Sequence, residues 1–474
     1  MTSKSQVFNF LHDYHSSIQI SNVKFIDWVF SEYQLIEVQS TQNISLIGVH
    51  FDNVTFSQIE NSAIFDIIYS DNLFIYNLTM RNIELDEVKS VLYLNGDNNS
   101  SAFQVEMIEL VNVTMHNSRI IYAFGAHNLN IKNVICYNTI KISSDDDQSV
   151  IIQYSSQTGF DNDYLIINDV HWNFSDVALL KLSNFGYIPD SSVSISISNL
   201  TYQNSYNEYY ENIILLEEIG SESDTKITFD NIIFDNITYY FGGDLIYFRH
   251  KCHEPILLSN IIVSNITFGG ITVSPIDKQD NSVMPKVIIH NMNVSNTDIL
   301  FRSFIKVEDG GIAEVYDSSF TNVSNIERGA VMYATSKDTS ITVSNSLFMN
   351  NTSIESAVFL SEHQSLIVVN DCNITNNLAI SSTVIKAVDE GSYQIAGWII
   401  THNVANHAAV TEVFSSFQTS IISNCTFTGN VAYDTQQFIE YIKSGGKLLI
   451  TLQLYRFISK DIHWICYTAW KLID

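Results

Sequence analysis

Three groups of residues have the types and spacing that chemistry needs. Asp145, Asp146 and Asp147 run together, and Asp161 and Asp163 follow on the next turn. Several carboxylate oxygens in one place are what a hard cation such as Ca²⁺ takes. In a chain of net charge −28 the same run is also an ordinary solvated loop. His250, Cys252, His253 and Glu254 fall within five residues and offer the soft and hard donors of a zinc site. Adjacent ligands rarely all point at one metal, and Pro255 indicates a turn. Lys386 and Glu412 take outward positions on later strands, isolated and of mixed sign. None of these groups assembles two or three carboxylates and a base on one face. No catalytic, cofactor-binding or metal site is therefore assigned, and no cofactor is expected.

The elements that carry these residues are set by a repeat. In Thr339–Asn351, Ile341 and Val343 alternate with polar residues, as on one face of a short strand. Asn345 ends that strand, Phe348 lies three residues on, and Asn350 two after that. The unit returns at Asn22, Gly48, Asn77, Asn112, Asn133, Asp169, Asn199, Asn231, Asn260, Asn291, Asp317, Asn345, Asp371, Gly397 and Asn424. The spacing runs from 21 to 36 residues, and 402 residues over 14 intervals give about 29, inside the solenoid range. Two residues before each anchor the chain is apolar, for example Ile20, Leu110, Val343 and Ile422. Three residues after it the chain is apolar or Cys, for example Phe25, Met115, Cys136 and Phe427.

The anchor holds only Asn, Asp or Gly, the residues that enter the left-handed region at least cost. A period-2 strand that meets such a residue and resumes is a corner. Asn recurs five residues past the anchor in eleven copies. A further strand follows in most units, as at Ala63–Ile68, Ser90–Leu94, Val150–Tyr154 and Thr383–Ala387. Three short strands and three turns make one coil of a parallel β-helix, whose strands pair between coils. About fifteen coils are expected over 16–446, as one elongated domain. Residues 1–15 read as a partial coil or short cap, and 447–474 as a C-terminal cap or irregular tail.

Composition narrows the function classes. There are 51 acidic and 23 basic residues, a balance that disfavours nucleic acid and anionic membrane surfaces. Only four Pro are present, as expected where few strands tolerate a missing donor. The five Cys are odd in number and show no metal spacing. Cys372 and Cys425 stand at equivalent positions two coils apart, about 10 Å, too far to bridge, and read as small core residues. The first fifteen residues contain no apolar signal-peptide core, and no run long enough to cross a membrane occurs. Sixteen N-x-S/T sequons are present, many at or near anchors. A ladder of anchor Asn inside the coil would be closed to both glycosylation and ligands.

These features resemble the right-handed parallel β-helix repeat proteins of the pectin-lyase-like superfamily. In that family a ladder of left-handed Asn lines one corner, and Asn291, Asn345 and Asn424 match that position. Phe348-Met-Asn-Asn351 and Phe427-Thr-Gly-Asn430 also resemble the F-x-x-N repeats of bacterial polymorphic outer-membrane proteins, with a degraded partner element at Gly329-Ala330-Val331. The resemblance implies an all-β solenoid. Lyases and hydrolases of the family place Asp with Arg or Lys on the outer face of one sheet. The polygalacturonase signature is absent here, and Asp145-Asp146 lacks its companions. The chain also resembles repeat-bearing surface proteins of protists. The expectation is a non-catalytic, extracellular or cell-surface module for structure, adhesion or carbohydrate contact, part of a larger membrane-anchored protein. Its expected partners are a carbohydrate or another surface protein, and not nucleic acid. The thinly covered N-terminal end suggests end-to-end self-association or a longer parent chain. The alternative is a carbohydrate-active enzyme with its site in lateral loops.

Overall fold

The computed structural model describes residues 8–11, 17–31, 34–39, 41–96, 102–126, 128–141, 149–155, 162–185, 192–207, 212–219, 224–239, 243–250, 254–267, 269–275, 284–299, 303–325, 329, 331–413, 420–432 and 448–451. Among them there is no helix, and consecutive coils pair strand on strand in parallel. The fold is a parallel β-solenoid of about 12 turns. The sequence reading of about fifteen coils is somewhat higher than this. The chain divides into two compact units, Met1–Val287 and Ile288–Asp474.

In the first unit the register stacks Ile20, Leu46, Ile75, Val105, Ile131, Ile167, Ile197, Phe229 and Leu258 in one inward column. A second column carries Phe25, Phe51, Met80, Leu110, Cys136, Trp172, Tyr202, Phe234 and Val263. Phe25 lies flat on Phe51 at 5.0 Å, and Trp172 on Tyr202 at 5.5 Å. Each fully buried side chain of this size contributes roughly 1.5–3 kcal/mol, so a polar insertion in either column is costly. In the second unit Val315, Val343, Val369, Ile395 and Ile422 stack in one inward column, and Phe320, Phe348, Ile374, Ile400 and Phe427 in another.

Every corner residue of the first column has positive φ, from 52° at Asp317 to 73° at Gly397. One of them departs from the sequence reading. Register aligns Tyr76 with Glu106 and Leu78 with Ile108, so the corner after Asn77 is Met107, with φ 61°. Asn112 belongs to a second corner column, five residues further on, where it follows Asn82. The inward residues of that coil are therefore Val105 and Leu110, in place of Leu110 and Met115. A rule that admits only Asn, Asp and Gly cannot find a Met held left-handed by its neighbours. The second corner column runs through Asn53, Asn82, Asn112, Asn138, Asn236 and Asn322, also with positive φ, and at Phe174 a bulky residue takes the corner at 54°.

The corner side chains point outward, which overturns the reading of a closed internal ladder. Asn22, Asn82, Asn112, Asn231, Asn291 and Asn345 are exposed. They still bond from coil to coil. Asn112 Nδ2 donates to Asn82 Oδ1 at 3.0 Å, Asn138 to Asn112 at 2.9 Å, and Asn236 to Asn204 at 2.7 Å. The buried Asn ladder sits one residue past the second corner, and only in the second unit among the described residues. There Asn351, Asn377 and Asn403 are buried. The Asn351 backbone N–H donates to Asn377 Oδ1 at 2.9 Å, Asn377 N–H to Asn403 Oδ1 at 3.0 Å, and Asn403 N–H to Asn430 Oδ1 at 3.0 Å.

Strand Phe8–Leu11 pairs with Ile36–Gln39, and Leu448–Thr451 with Ser420–Ser423. The rest of the expected C-terminal cap, 452–474, lies outside the described residues, as do residues 1–7. Cys136, Cys372 and Cys425 are buried free thiols.

Candidate functional site

The residues singled out from the sequence are dispersed. Asp145, Asp146, Asp147 and Asp161 lie outside the described residues, as do Cys252 and His253. Asp163 is the second residue of strand Asn162–Asn173 and pairs with Val193, and His250 ends the strand Ile246–His250. Among the described residues no three His, Cys, Asp or Glu side chains are grouped to hold a metal ion. Lys386 and Glu412, expected to be isolated, are neighbours in register on Ile385–Ala387 and Thr411–Val413, which belong to the ladder of strands that closes each coil, here called the third sheet. Lys386 Nζ lies 3.8 Å from Glu355 Oε2, and the Ser381 hydroxyl donates to Glu412. Each charge there has a local partner.

The same sheet in the first unit carries a different row. Strands Ile36–Gln39 and Val150–Ser155, with the ends of Asn43–Ile68, Asn72–Asn95 and Arg119–Phe124, alternate apolar inward residues with polar outward ones. The inward residues Phe65, Leu92, Ile121 and Ile152 fix the strands in the core. The outward residues then fall in register across five coils: Glu37, Asp66, Tyr93, Tyr122 and Gln153. Neighbours are one strand spacing apart, about 4.8 Å. Two further side chains flank the row. Lys89 Nζ stands 3.9 Å from the centre of the Tyr93 ring, and the Arg119 guanidinium 5.4 Å from that of Tyr122. Both are within cation–π range. Tyr93 and Tyr122 meet edge to face at 5.4 Å.

Hydrogen bonds stiffen parts of the row. Gln34 and Gln39 donate to the two oxygens of Glu37 at 2.5 and 2.6 Å. Arg119 donates from Nε to Gln153 and from a terminal nitrogen to the Lys89 carbonyl at 3.2 Å. Asp66 is the exception. It is 8% exposed, and its Oδ1 has no hydrogen-bond partner among the described residues. Burial, reinforced by Glu37 and opposed by Lys89, pushes its carboxyl up to about 6. Burial lowers the Lys89 ammonium despite the attraction of Asp66. Burial, with Tyr122 and Asp66 nearby, pushes the Tyr93 hydroxyl up to about 12, so it stays a hydrogen-bond donor at neutral pH. The arrangement is a rigid strip of aromatic surface bordered by an under-satisfied carboxyl, two cations and an amide.

The strip was hidden in the sequence because its residues stand at unequal distances from their corners. Glu37, Asp66, Tyr93, Tyr122 and Gln153 lie 15, 18, 16, 15 and 20 residues past Asn22, Gly48, Asn77, Met107 and Asn133. The usable signal was the period-2 third strand itself, aligned strand on strand without reference to the corner.

No protein-family model matches the chain, and no curated protein matches it. Among solved structures it is similar to the Azotobacter vinelandii mannuronan C-5 epimerase AlgE6 A-module, at 10% identity and a TM-score of 0.27, over 89% of this chain and 92% of that one. Likeness at that level assigns neither activity nor substrate.

Proposed function

We propose that this chain is a carbohydrate-contacting β-solenoid of the cell exterior, and that an extended saccharide lies along the third-sheet row of the first unit. The observation that carries the reading is the in-register strip Asp66–Tyr93–Tyr122–Gln153. Aromatic faces accept the apolar C–H faces of sugar rings, and flanking carboxyl and amide groups pair with hydroxyls. The strands hold these groups at a fixed repeat, so little ordering entropy opposes binding. Titration of the full chain with a panel of neutral and charged oligosaccharides tests the reading. Binding that weakens about tenfold or more in Tyr93→Ala and Tyr122→Ala is expected. Equal binding by wild type and both variants would remove the row from the site.

A second reading has one specific support. A carboxyl held near 6 beside a second carboxyl, Glu37, is suited to proton transfer. Turnover that disappears in Asp66→Asn while saccharide binding persists would make the row catalytic.

Placement outside the cell is part of the same proposal, and exposed sequon asparagines such as Asn53, Asn112, Asn236 and Asn322 favour it. Intact-mass measurement of the protein from its native cells, before and after glycan removal, tests it. An unchanged mass would count against a secreted chain.

A further inference from the structure

We infer that the second unit has its own ligand groove, distinct from the Tyr93 row, and that it takes an extended saccharide chain bearing protonated amines. The groove is a shallow recess, open to solvent, that runs along the first-corner column and spans about 630 Å³. Its edge is formed by four successive corners, Asn291, Asp317, Asn345 and Asp371. The row two residues further on lines it too, with exposed Asn293 and Asn373 and the half-buried Leu347. The Asp317, Asn345 and Asp371 backbones are tied to the next coil by N–H donation to Ser344, Asn370 and Ala396 at 3.2, 3.2 and 2.9 Å. The lining is therefore fixed by the same corner geometry that builds the coil.

The edge alternates amide, carboxylate, amide, carboxylate. Asp317 and Asp371 are two coils apart, about 10 Å, too far to share one cation at coordination distance. No ion pair to either is present among the described residues. Above Asp371 the chain is cleared by Gly397, where a Cβ would stand 2.1 Å from Asp371 Oδ1. A side chain there would displace the carboxylate, so the glycine keeps it in place at the groove edge.

An extended β-linked sugar chain has the matching periodicity. Successive rings turn over, so like substituents recur on one side at every second ring. An amine on each ring would then meet a carboxylate at alternate coils, while the intervening hydroxyls meet Asn side chains. Leu347 gives one ring face an apolar contact. The net charge of −28 favours approach of a polycation.

The test uses the full chain from a bacterial host, which leaves the sequons at Asn293 and Asn373 unmodified. Calorimetric titration compares a β-linked glucosamine oligomer, its fully N-acetylated counterpart and a neutral glucose oligomer, at low and high salt. The glucosamine oligomer is expected to bind best. Its affinity should fall about tenfold or more in the double variant Asp317→Asn/Asp371→Asn and should weaken with salt. Absence of binding, equal binding by the acetylated chain, or an unchanged double variant would overturn the inference. Loss of glucosamine binding in Tyr93→Ala instead would assign it to the third-sheet row and overturn the groove.

Discussion

Both units carry Asn on the outside of the coil, and the second adds a row of Asn inside it. In the first, Asn side chains bond from coil to coil on the outside, as Asn231 does with Asn199 at 2.6 Å, while the interior one step past the second corner is taken by Val54, Ile83 and Val113 and by the short Thr139, Ser175 and Ser205. In the second, that interior position holds Asn351, Asn377, Asn403 and Asn430, each also donating its amide to a main-chain carbonyl of the preceding coil. An exposed ladder exchanges water for a similar partner and gains little; a buried one must be complete, because every orphaned group loses its water outright. The third sheet shows the reverse contrast. In the second unit Lys306, Tyr333 and Lys386 are matched by Glu308 at 2.5 Å, Glu362 at 2.5 Å and Glu355 at 3.8 Å. In the first unit Asp66 is left short of partners.

The strongest break of this comparison is Phe348→Asp, which puts a charge against Phe320 and Phe359. It should cost more than about 4 kcal/mol and abolish the cooperative melt of the second unit; a wild-type melt would show the apolar column to be misplaced. Asn377→Ala comes next. It strips the Asn351 N–H and the Phe348 carbonyl of partners inside the coil, and a loss of about 3 kcal/mol in denaturant unfolding is expected. The exposed counterpart Asn236→Ala should lose less than about 1 kcal/mol in hydrogen bonding, plus the cost of an Ala at positive φ. Comparable penalties at 377 and 236 would erase the distinction between buried and exposed ladders.

Asp66→Asn sharpens the contrast through pH. Burial pushes the folded carboxyl up to about 6 from its ordinary 3.8, so the native state holds the extra proton between those values. That contribution to stability is present in full below about pH 4 and is lost as pH rises through 6. The variant should flatten this part of the stability profile and be more stable than wild type at pH 7.5, by up to roughly 3 kcal/mol. An unaltered profile would mean that Asp66 is solvated.

The smallest effect is expected at Cys372→Ser. Cys372 donates to the Asn370 carbonyl at 3.2 Å, as Ser346 does to Ser344 at 2.9 Å, and burial pushes its thiol to about 12. A hydroxyl fits the same bond, so the change should stay within about 1 kcal/mol. A larger loss would give the thiol a role beyond that of its Ser neighbours.

The corners and apolar columns were legible because backbone strain and core burial each restrict residue type at fixed spacing. Met107 was not, since the stacked coils on either side impose the left-handed turn on a residue that does not favour it. Asn350-Asn351 and Asn376-Asn377 show another limit. Both members of each pair are Asn, yet one points out and the next in, so composition reports the repeat without saying which member is buried. The candidate row was hidden for a third reason, the variable loops that precede each third strand.

The central claim is that the first unit's third-sheet row is the saccharide-contacting face and its second-unit counterpart is not. The direct measurement is an oligosaccharide titration of the full chain, comparing wild type, Tyr93→Ala and Lys386→Ala. The account predicts that Tyr93→Ala weakens binding about tenfold or more while Lys386→Ala leaves it within about twofold of wild type. Retained affinity in Tyr93→Ala, or a loss confined to Lys386→Ala, would contradict it.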